Sequence, residues 1–235
     1  MSIKLRSGTP SSGKSYTSIE DILTYLNKGK FVISNFPLLF TKRDLKRGYD
    51  KRFFHVPNKE LTVEYLLIFA IEHGMIEACK EDQCLVVIDE AGGRFNVVQP
   101  KKSDIQEWAD FFSQHAKLGF SFVLIAQKDR MINRGILPMI ETEVKHRKVN
   151  NFKFFKYLPF TLFLDIEFWY VNKTRVSSQY HFYLPSVAKR YDRFKLFDGF
   201  KLSEALLKKI TDIQAELPKG FSVPISAISS NSDEE

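Results

Sequence analysis

The 235-residue sequence is poor in cysteine, has no apolar run long enough to cross a bilayer and contains no internal repeat. Its two cysteines, Cys79 and Cys84, flank the polar stretch Lys80-Glu-Asp-Gln83, and no histidine pair stands nearby at a zinc-finger spacing. A disulfide framework and a finger-type metal site are thereby excluded, and ordinary buried thiols in a reducing compartment are expected. The longest apolar stretch, 157–171, carries Asp165 and Glu167 and falls short of the ~20 residues that a membrane-spanning helix needs. Met1 to Gly8 has no apolar segment of the secretory type, so synthesis and residence in the cytoplasm are expected. A chain of this length buries roughly 70% of its unfolded surface and suits one α/β domain with appendages.

Acidic charge is also in deficit. Lys and Arg number 35 against 28 for Asp and Glu, a formal net charge of +7 that favours anionic partners, nucleic acid or a lipid surface. The excess is local: 42–52 holds six basic residues against two acids, and Lys145-His146-Arg147-Lys148 forms a second cluster. Such runs are ordinarily solvated loops, but Tyr49, Phe53 and Phe54 beside the first would suit stacking on single-stranded bases.

What is present is concentrated at the start of the chain. Residues 8–16 read GTPSSGKSY, and Gly8-x-x-x-x-Gly13-Lys14-Ser15 has the spacing of a P-loop. In such a loop, backbone N–H groups cradle phosphates, the lysine reaches the β and γ phosphates and the hydroxyl ligates Mg²⁺. The pattern arises by chance in roughly one chain of this length in a hundred, given Gly near 7% of residues. The competing reading is a Ser-rich turn in which Ser11 or Ser12 caps a helix. Context favours the P-loop, because the alternating run Ile3-Lys4-Leu5-Arg6 enters as a strand. Tyr16, Ile19, Ile22, Leu23 and Leu26 then leave with helical spacing, up to a stop at Asn27-Lys28-Gly29.

Further along, 30–36 and 53–56 read as strands, and 61–79 as a long apolar helix starting near Asn58 or Thr62. The run 84–90 reads as a strand buried on both faces, 102–117 as a helix ending at Gly119, and 120–127 as another buried strand. This alternation implies a doubly wound, mostly parallel sheet. Beyond Gln127, a short helix broken by Pro138 is expected over 132–140, with strands over 143–150, 160–173 and 180–184. These form a second layer or an antiparallel extension of the sheet. A charged amphipathic helix is expected over 200–217 and a disordered acidic tail over 218–235.

Leu85-Val-Val-Ile88 followed by Asp89-Glu90 is a Walker B element at the edge where open α/β sheets bind ligands. There Asp89 can hold Mg²⁺ and Glu90 can orient and deprotonate an attacking water. Gln127 ends the next strand at the same edge, placed to sense the γ-phosphate or hold the water.

Together, GTPSSGKSY at 8–16, FVISNFPL at 31–38, VVIDEA at 86–91 and LIAQ at 124–127, with Asp129 and the HRKV region ending at Val149, resemble the zonular occludens toxin (Zot) family. Its members are assembly and export ATPases of filamentous phages, related to the FtsK and HerA pumps. The resemblance covers roughly residues 1–195. It implies a RecA/FtsK-like P-loop NTPase over 1–217, with a core to residue 150 and a β extension and C-terminal helix beyond it. It also implies that Gly8, Thr9, Pro10, Ser11, Ser12, Gly13, Lys14, Ser15 and Tyr16 bind ATP, that Ser15 and Asp89 hold Mg²⁺, and that Lys14, Glu90 and Gln127 are catalytic. Because the class acts as rings, an arginine from a neighbouring copy, Arg130, Arg134 or Arg94, would reach the γ-phosphate.

Two departures stand out. Ser11 occupies a position where the family often has Gly, at a cost of order 1 kcal/mol if its φ must be positive. Family members also typically continue into a membrane-spanning helix and an outer domain, whereas this sequence closes in an acidic tail; either the membrane segment lies beyond it or the protein docks through another membrane protein. The function implied is a Mg²⁺-dependent ATPase powering assembly and extrusion of a single-stranded DNA phage at the cytoplasmic face of the host membrane. Its partners would be further copies in a ring and coat or assembly proteins, with single-stranded DNA as a further candidate. The alternatives are a DNA-translocating or packaging ATPase and a nucleotide-binding module that does not hydrolyse.

Overall fold

The computed structural model of the chain describes residues 2–78, 80–95, 102–151 and 159–191. The helix expected over 200–217 and the tail over 218–235 lie outside them, as does Cys79. Cys84 is a buried thiol whose pKa is pushed well above the ordinary value by burial.

Strand β1 (Ile3–Ser7) enters the P-loop, and α1 (Lys14–Asn27) leaves it. Then follow β2 (Phe31–Ser34), α2 (Lys42–Lys46), β3 (Phe53–His55), α3 (Val63–Glu72), α4 (Met75–Ala78) and β4 (Cys84–Ile88). After α5 (Ala91–Arg94), α6 (Lys102–Gln114) and β5 (Phe120–Ile125), the chain continues through β6 (Thr142–Lys148), β7 (Leu162–Trp169), β8 (Arg175–Phe182) and α7 (Pro185–Ala188). The eight strands make one sheet in the order β3-β2-β4-β5-β1-β6-β7-β8, parallel as far as β6, with β7 and β8 antiparallel. The antiparallel strands therefore extend the first sheet and form no second layer.

Burial explains the composition of each strand. β4 and β5 sit mid-sheet under helices on both sides and are buried at every position, so they read as unbroken apolar runs. One core, between the sheet and α3 and α6, gathers Ile3, Leu5, Phe69, Trp108, Phe112 and Phe122; the other, under α1, gathers Ile19, Ile22, Leu26, Val32, Val87 and Ile125. By contrast, β8 is an edge strand exposed along most of its length. Its polar start, Arg175 to Gln179, carries no apolar alternation, which is why only its end reads as a strand. The hairpin before it turns at Lys173 (φ 54°), where the Asn172 side chain accepts the Thr174 N–H at 3.1 Å, so β7 stops at Trp169 and not at Lys173.

Three other expectations are corrected. The helix expected over 61–79 is two helices, broken at Gly74 (φ 63°), with Thr62 as the cap of α3 through its side chain and Tyr65 N–H. Over 132–140 there is no α-helix. One 3₁₀ turn, Asp129–Met131, precedes this stretch and another, Leu137–Met139, lies within it, and Ile132, Ile136 and Ile140 are buried. The basic run 42–52 is not simply a loop: Thr41 and Asp44 form a capping box that starts α2.

A polar layer lies between α1 and the sheet. The buried Arg6 guanidinium of β1 donates to Thr17 and, at 2.5 Å, to Asp21 of α1, and approaches Asp165 of β7 (3.5 Å) and His146 Nε2 of β6 (3.3 Å). His146 Nδ1 lies 2.6 Å from Asp165, and His181 of β8 reaches Glu20 at 2.7 Å and Asp165 at 3.4 Å. Burial holds the His146 imidazole, which lies between Arg6 and Asp165, below its ordinary pKa; a hydrogen bond with Glu20 holds His181 above its own. Replacing Arg6 by Ala strands these carboxylates, and a loss of about 3 kcal/mol in urea-unfolding stability is expected, far beyond the effect of an exposed substitution such as Lys28→Ala.

Candidate active site

The C-terminal ends of the parallel strands converge on one edge of the sheet. Directly after β1 comes Gly8 (φ 150°), whose N–H donates to the Gln127 carbonyl at 3.2 Å, tying the loop to the segment that follows β5. The Ser12 N–H donates back to Thr9 O at 3.2 Å, closing the turn around Pro10 and Ser11. Gly13 (φ 103°), and neither Ser11 nor Ser12, is the N-cap of α1, and no side chain caps that terminus. The N–H groups there are thus presented with no side chain competing for them, as anion binding requires. Ser12 Oγ is buried without a hydrogen-bond partner. A Cβ on Gly8 would meet His146 O at 2.7 Å, and one on Gly13 the Phe163 ring at 2.7 Å, so the β6–β7 extension is packed hard against the back of the loop.

The reactive side chains group beside it. Lys14 Nζ donates to Gly8 O (2.8 Å) and Thr9 O (3.0 Å), folded over the loop that precedes it. Burial holds its pKa below the lysine range against the pull of Asp89 and Glu90. Ser15 Oγ donates to Asp89 Oδ2 at 3.2 Å, joining the P-loop to the end of β4 although β5 lies between their strands. Tyr16 departs from expectation. Its ring packs between Phe163 and Tyr183, and its hydroxyl donates to Phe182 O (2.9 Å) and accepts from Leu184 N (3.0 Å). Its side chain is committed to the β8 end, with its pKa pushed up to about 12 by burial, and does not face the loop.

Asp89 is held on several sides. Its Oδ1 accepts the Glu90 N–H at 2.8 Å, while Asn35, at the end of β2, accepts its N–H and donates to its carbonyl, both at 2.8 Å. Asn35 also donates to Asn58 at 2.8 Å. Asn35 lies within the FVISNFPL motif, which by itself assigns it no role; its own signal is a polar residue directly after a buried strand that neighbours β4. Glu90 is exposed and adopts a left-handed backbone (φ 52°, ψ 42°), a conformation that costs a non-glycine residue of order 1 kcal/mol and is concentrated at functional sites. Burial raises the pKa of Asp89; burial and then the Asp89 charge raise that of Glu90.

Among the described residues, no cluster of three or more His, Cys, Asp and Glu side chains could hold a metal by itself. Ser15 Oγ and the Asp89 carboxylate are instead two hard oxygen donors in contact, a set that fits Mg²⁺, which keeps several waters and takes few protein ligands. The loop fits a phosphate chain on separate grounds: an uncapped helix start, an orphaned buried Ser12 hydroxyl and a lysine that already bonds carbonyl oxygens.

Gln127 stands exposed at the same edge, and Arg130 and Arg134 are exposed beyond it. Arg94 is removed from the arginine candidates: its guanidinium stacks over Trp108 at 5.6 Å and donates to Leu61 O at 3.4 Å within its own core. The stacking role expected for aromatics beside the basic run is likewise corrected. Tyr49 is buried with its hydroxyl on Asn27, Phe53 packs on Phe40, and Phe54 packs on Phe31 and Phe69. Lys42, Arg43, Lys46 and Arg47 remain exposed. In the second basic cluster Lys145 and Arg147 are exposed while His146 faces inward.

The family model described as zonular occludens toxin (Zot) matches residues 2–188. No curated protein sequence matches the chain. Among solved structures, the N-terminal domain of zonular occludens toxin from Neisseria meningitidis is 15% identical, over 82% of this chain and 99% of that one, with a TM-score of 0.48. The genome packaging NTPase of Sulfolobus turreted icosahedral virus 2, in complex with ATP-gammaS, is 16% identical over 77% and 96%, with a TM-score of 0.46. The flagellar accessory protein FlaH from Methanocaldococcus jannaschii is 12% identical over 78% and 89%, with a TM-score of 0.45.

Ser11 does take a positive φ, 61°. Ser11→Gly is therefore expected to raise stability by about 1 kcal/mol in thermal or urea unfolding. Gly13→Ala is expected to lower it by at least as much, because the new methyl meets the Phe163 ring.

Proposed function

The chain belongs to the zonular occludens toxin family, and from that premise we propose that it is a Mg²⁺-dependent ATPase whose turnover drives assembly and extrusion of a filamentous single-stranded DNA phage at the cytoplasmic face of the host membrane. The observation that carries the ATPase reading is the Ser15–Asp89 hydrogen bond, which joins the two motifs that separately bind phosphate and metal in such enzymes. The phage and membrane assignment is supported by family membership alone, and ring assembly follows from the same source.

In this reading the loop N–H groups from Gly8 to Ser15 bind the phosphates, and Lys14 exchanges the Gly8 and Thr9 carbonyls for β and γ phosphate oxygens. Ser15 and Asp89 would hold Mg²⁺, which when bound would neutralise negative charge on the phosphate chain. Glu90, with its carboxyl pKa raised by burial and the neighbouring Asp89 charge, takes the proton of the attacking water. Gln127, whose carbonyl already fixes Gly8, orients that water or senses the γ-phosphate. Arg130 or Arg134 of one copy supplies positive charge to the site of the next. Coat or assembly proteins receive the work, and the protein associates with the membrane; no helix among the described residues is long and apolar enough to cross it. A DNA-translocating role is favoured by one observation, the exposed cations on and beside α2, and predicts turnover stimulated by DNA and lost when Lys42, Arg43 and Lys46 are neutralised.

The test is ATP hydrolysis alongside binding of a fluorescent mant-ATP. Lys14→Ala is expected to abolish binding, whereas Glu90→Gln keeps binding and slows turnover by roughly 10²–10⁴-fold. Absence of wild-type binding at millimolar nucleotide overturns the proposal. The pH dependence has a definite sign. Because the folded-state pKa values of Asp89 and Glu90 are raised, proton uptake by these groups favours the folded protein as pH falls through them, and they withhold stability above them. Turnover should therefore decline on acidification at a pH above the usual carboxylate range, with no loss of stability traceable to this pair.

A further inference from the structure

The segment after β8 travels from the P-loop helix to the Walker B carboxylate. It begins on Tyr16, whose hydroxyl holds Phe182 O and Leu184 N, and α7 then lays Val187 against the core under α1. Arg190 closes on Asp44 with both terminal nitrogens, at 2.5 and 3.3 Å, and its carbonyl accepts the Leu39 N–H at 2.9 Å. The next residue, Tyr191, sets its ring edge-on to Phe36 (5.2 Å) and donates its hydroxyl to Asp89 Oδ2 at 3.4 Å. That oxygen is the one that accepts Ser15 Oγ.

We infer that Tyr191 is a positioning residue for the metal-holding carboxylate: its hydroxyl turns Asp89 Oδ2 toward Ser15, and the Arg190–Asp44 pair holds Tyr191 in place. The inference rests on the reading of Ser15 and Asp89 as the Mg²⁺ ligands. The Glu90 N–H holds Oδ1 and Ser15 Oγ holds Oδ2, but a Ser15 hydroxyl that turned to Mg²⁺ as a ligand would leave Tyr191 as the donor at Oδ2 that keeps the carboxylate plane from rotating about its Cβ–Cγ bond. Mg²⁺ demands near-ideal octahedral geometry, so a misplaced carboxylate oxygen is felt directly in metal affinity, and partners that orient a ligand are worth roughly 10–100-fold when lost. The phenol comes from 102 positions along the chain, outside every nucleotide-binding motif. It also makes the site depend on a clip at α2, where Arg190 pairs with Asp44.

MgCl₂ titration of the full chain with mant-ATP tests this directly. Tyr191→Phe keeps the ring against Phe36 and removes only the hydroxyl. It is expected to raise the Mg²⁺ half-saturation roughly ten-fold while leaving the melting temperature and the mant-ATP affinity in EDTA at wild-type values. Arg190→Ala, which releases the clip, should shift the same midpoint in the same direction. A Tyr191→Phe titration superimposable on wild type, or one weakened equally with and without Mg²⁺, overturns the inference and leaves a packing role. A wild type whose mant-ATP binding ignores Mg²⁺ instead overturns the ATPase reading, and this inference with it.

Discussion

The Arg6 guanidinium, buried directly beneath the P-loop helix, is the charge on which the arrangement depends. It belongs to β1, yet its partners come from α1, β6 and β7, with His181 of β8 joined through Asp165. A buried cation cannot be left unpaired, so α1 and the antiparallel extension must both close on it. That closure presses His146 and Phe163 against Gly8 and Gly13 and gives the loop its shape from behind. The extension is thus the rear wall of the phosphate loop, which accounts for its being continuous with the main sheet.

The site in front of that wall holds several groups in costly states. Ser11 and Glu90 sit in left-handed backbone, Asp89 and Lys14 are charges partly stripped of water, and Ser12 Oγ is buried without a partner. The surrounding structure compensates by over-determining Asp89: Asn35 fixes its backbone, Glu90 N–H one oxygen, and Ser15 and Tyr191 the other. Local strain held by rigid neighbours is the condition under which a ligand, rather than the protein, supplies the missing interactions. The site faces outward from strands buried at every position, so its geometry is set by the most rigid part of the sheet.

Much of this was legible in the sequence where the physics is local or periodic. Strands β4 and β5 announce themselves as unbroken apolar runs because both their faces are covered, and the P-loop by the glycines that its turns require. Legibility failed where structure depends on what lies across the sheet. The polar edge strand β8 has no alternation to read, and the helix break at Gly74 is hidden within an apolar run. The rings near the basic run look available for stacking until β3 pairs with β2 and draws Phe53 and Phe54 inward. Tyr16, adjacent to the motif, turns away from it, whereas Tyr191, far from it in sequence, reaches in.

The sequence by itself determined which chemical groups reach the C-terminal sheet edge, because strand length and the polar residue ending each strand are local properties. Only the tertiary structure decided which of those groups touch. The Ser15–Asp89 contact spans an intervening strand, the Asn35 clamp requires β2 beside β4, and Arg94 is lost to the site by stacking on Trp108. Each is a choice among partners distant in sequence, settled by how buried charge and aromatic surface are satisfied together, and no local pattern encodes it.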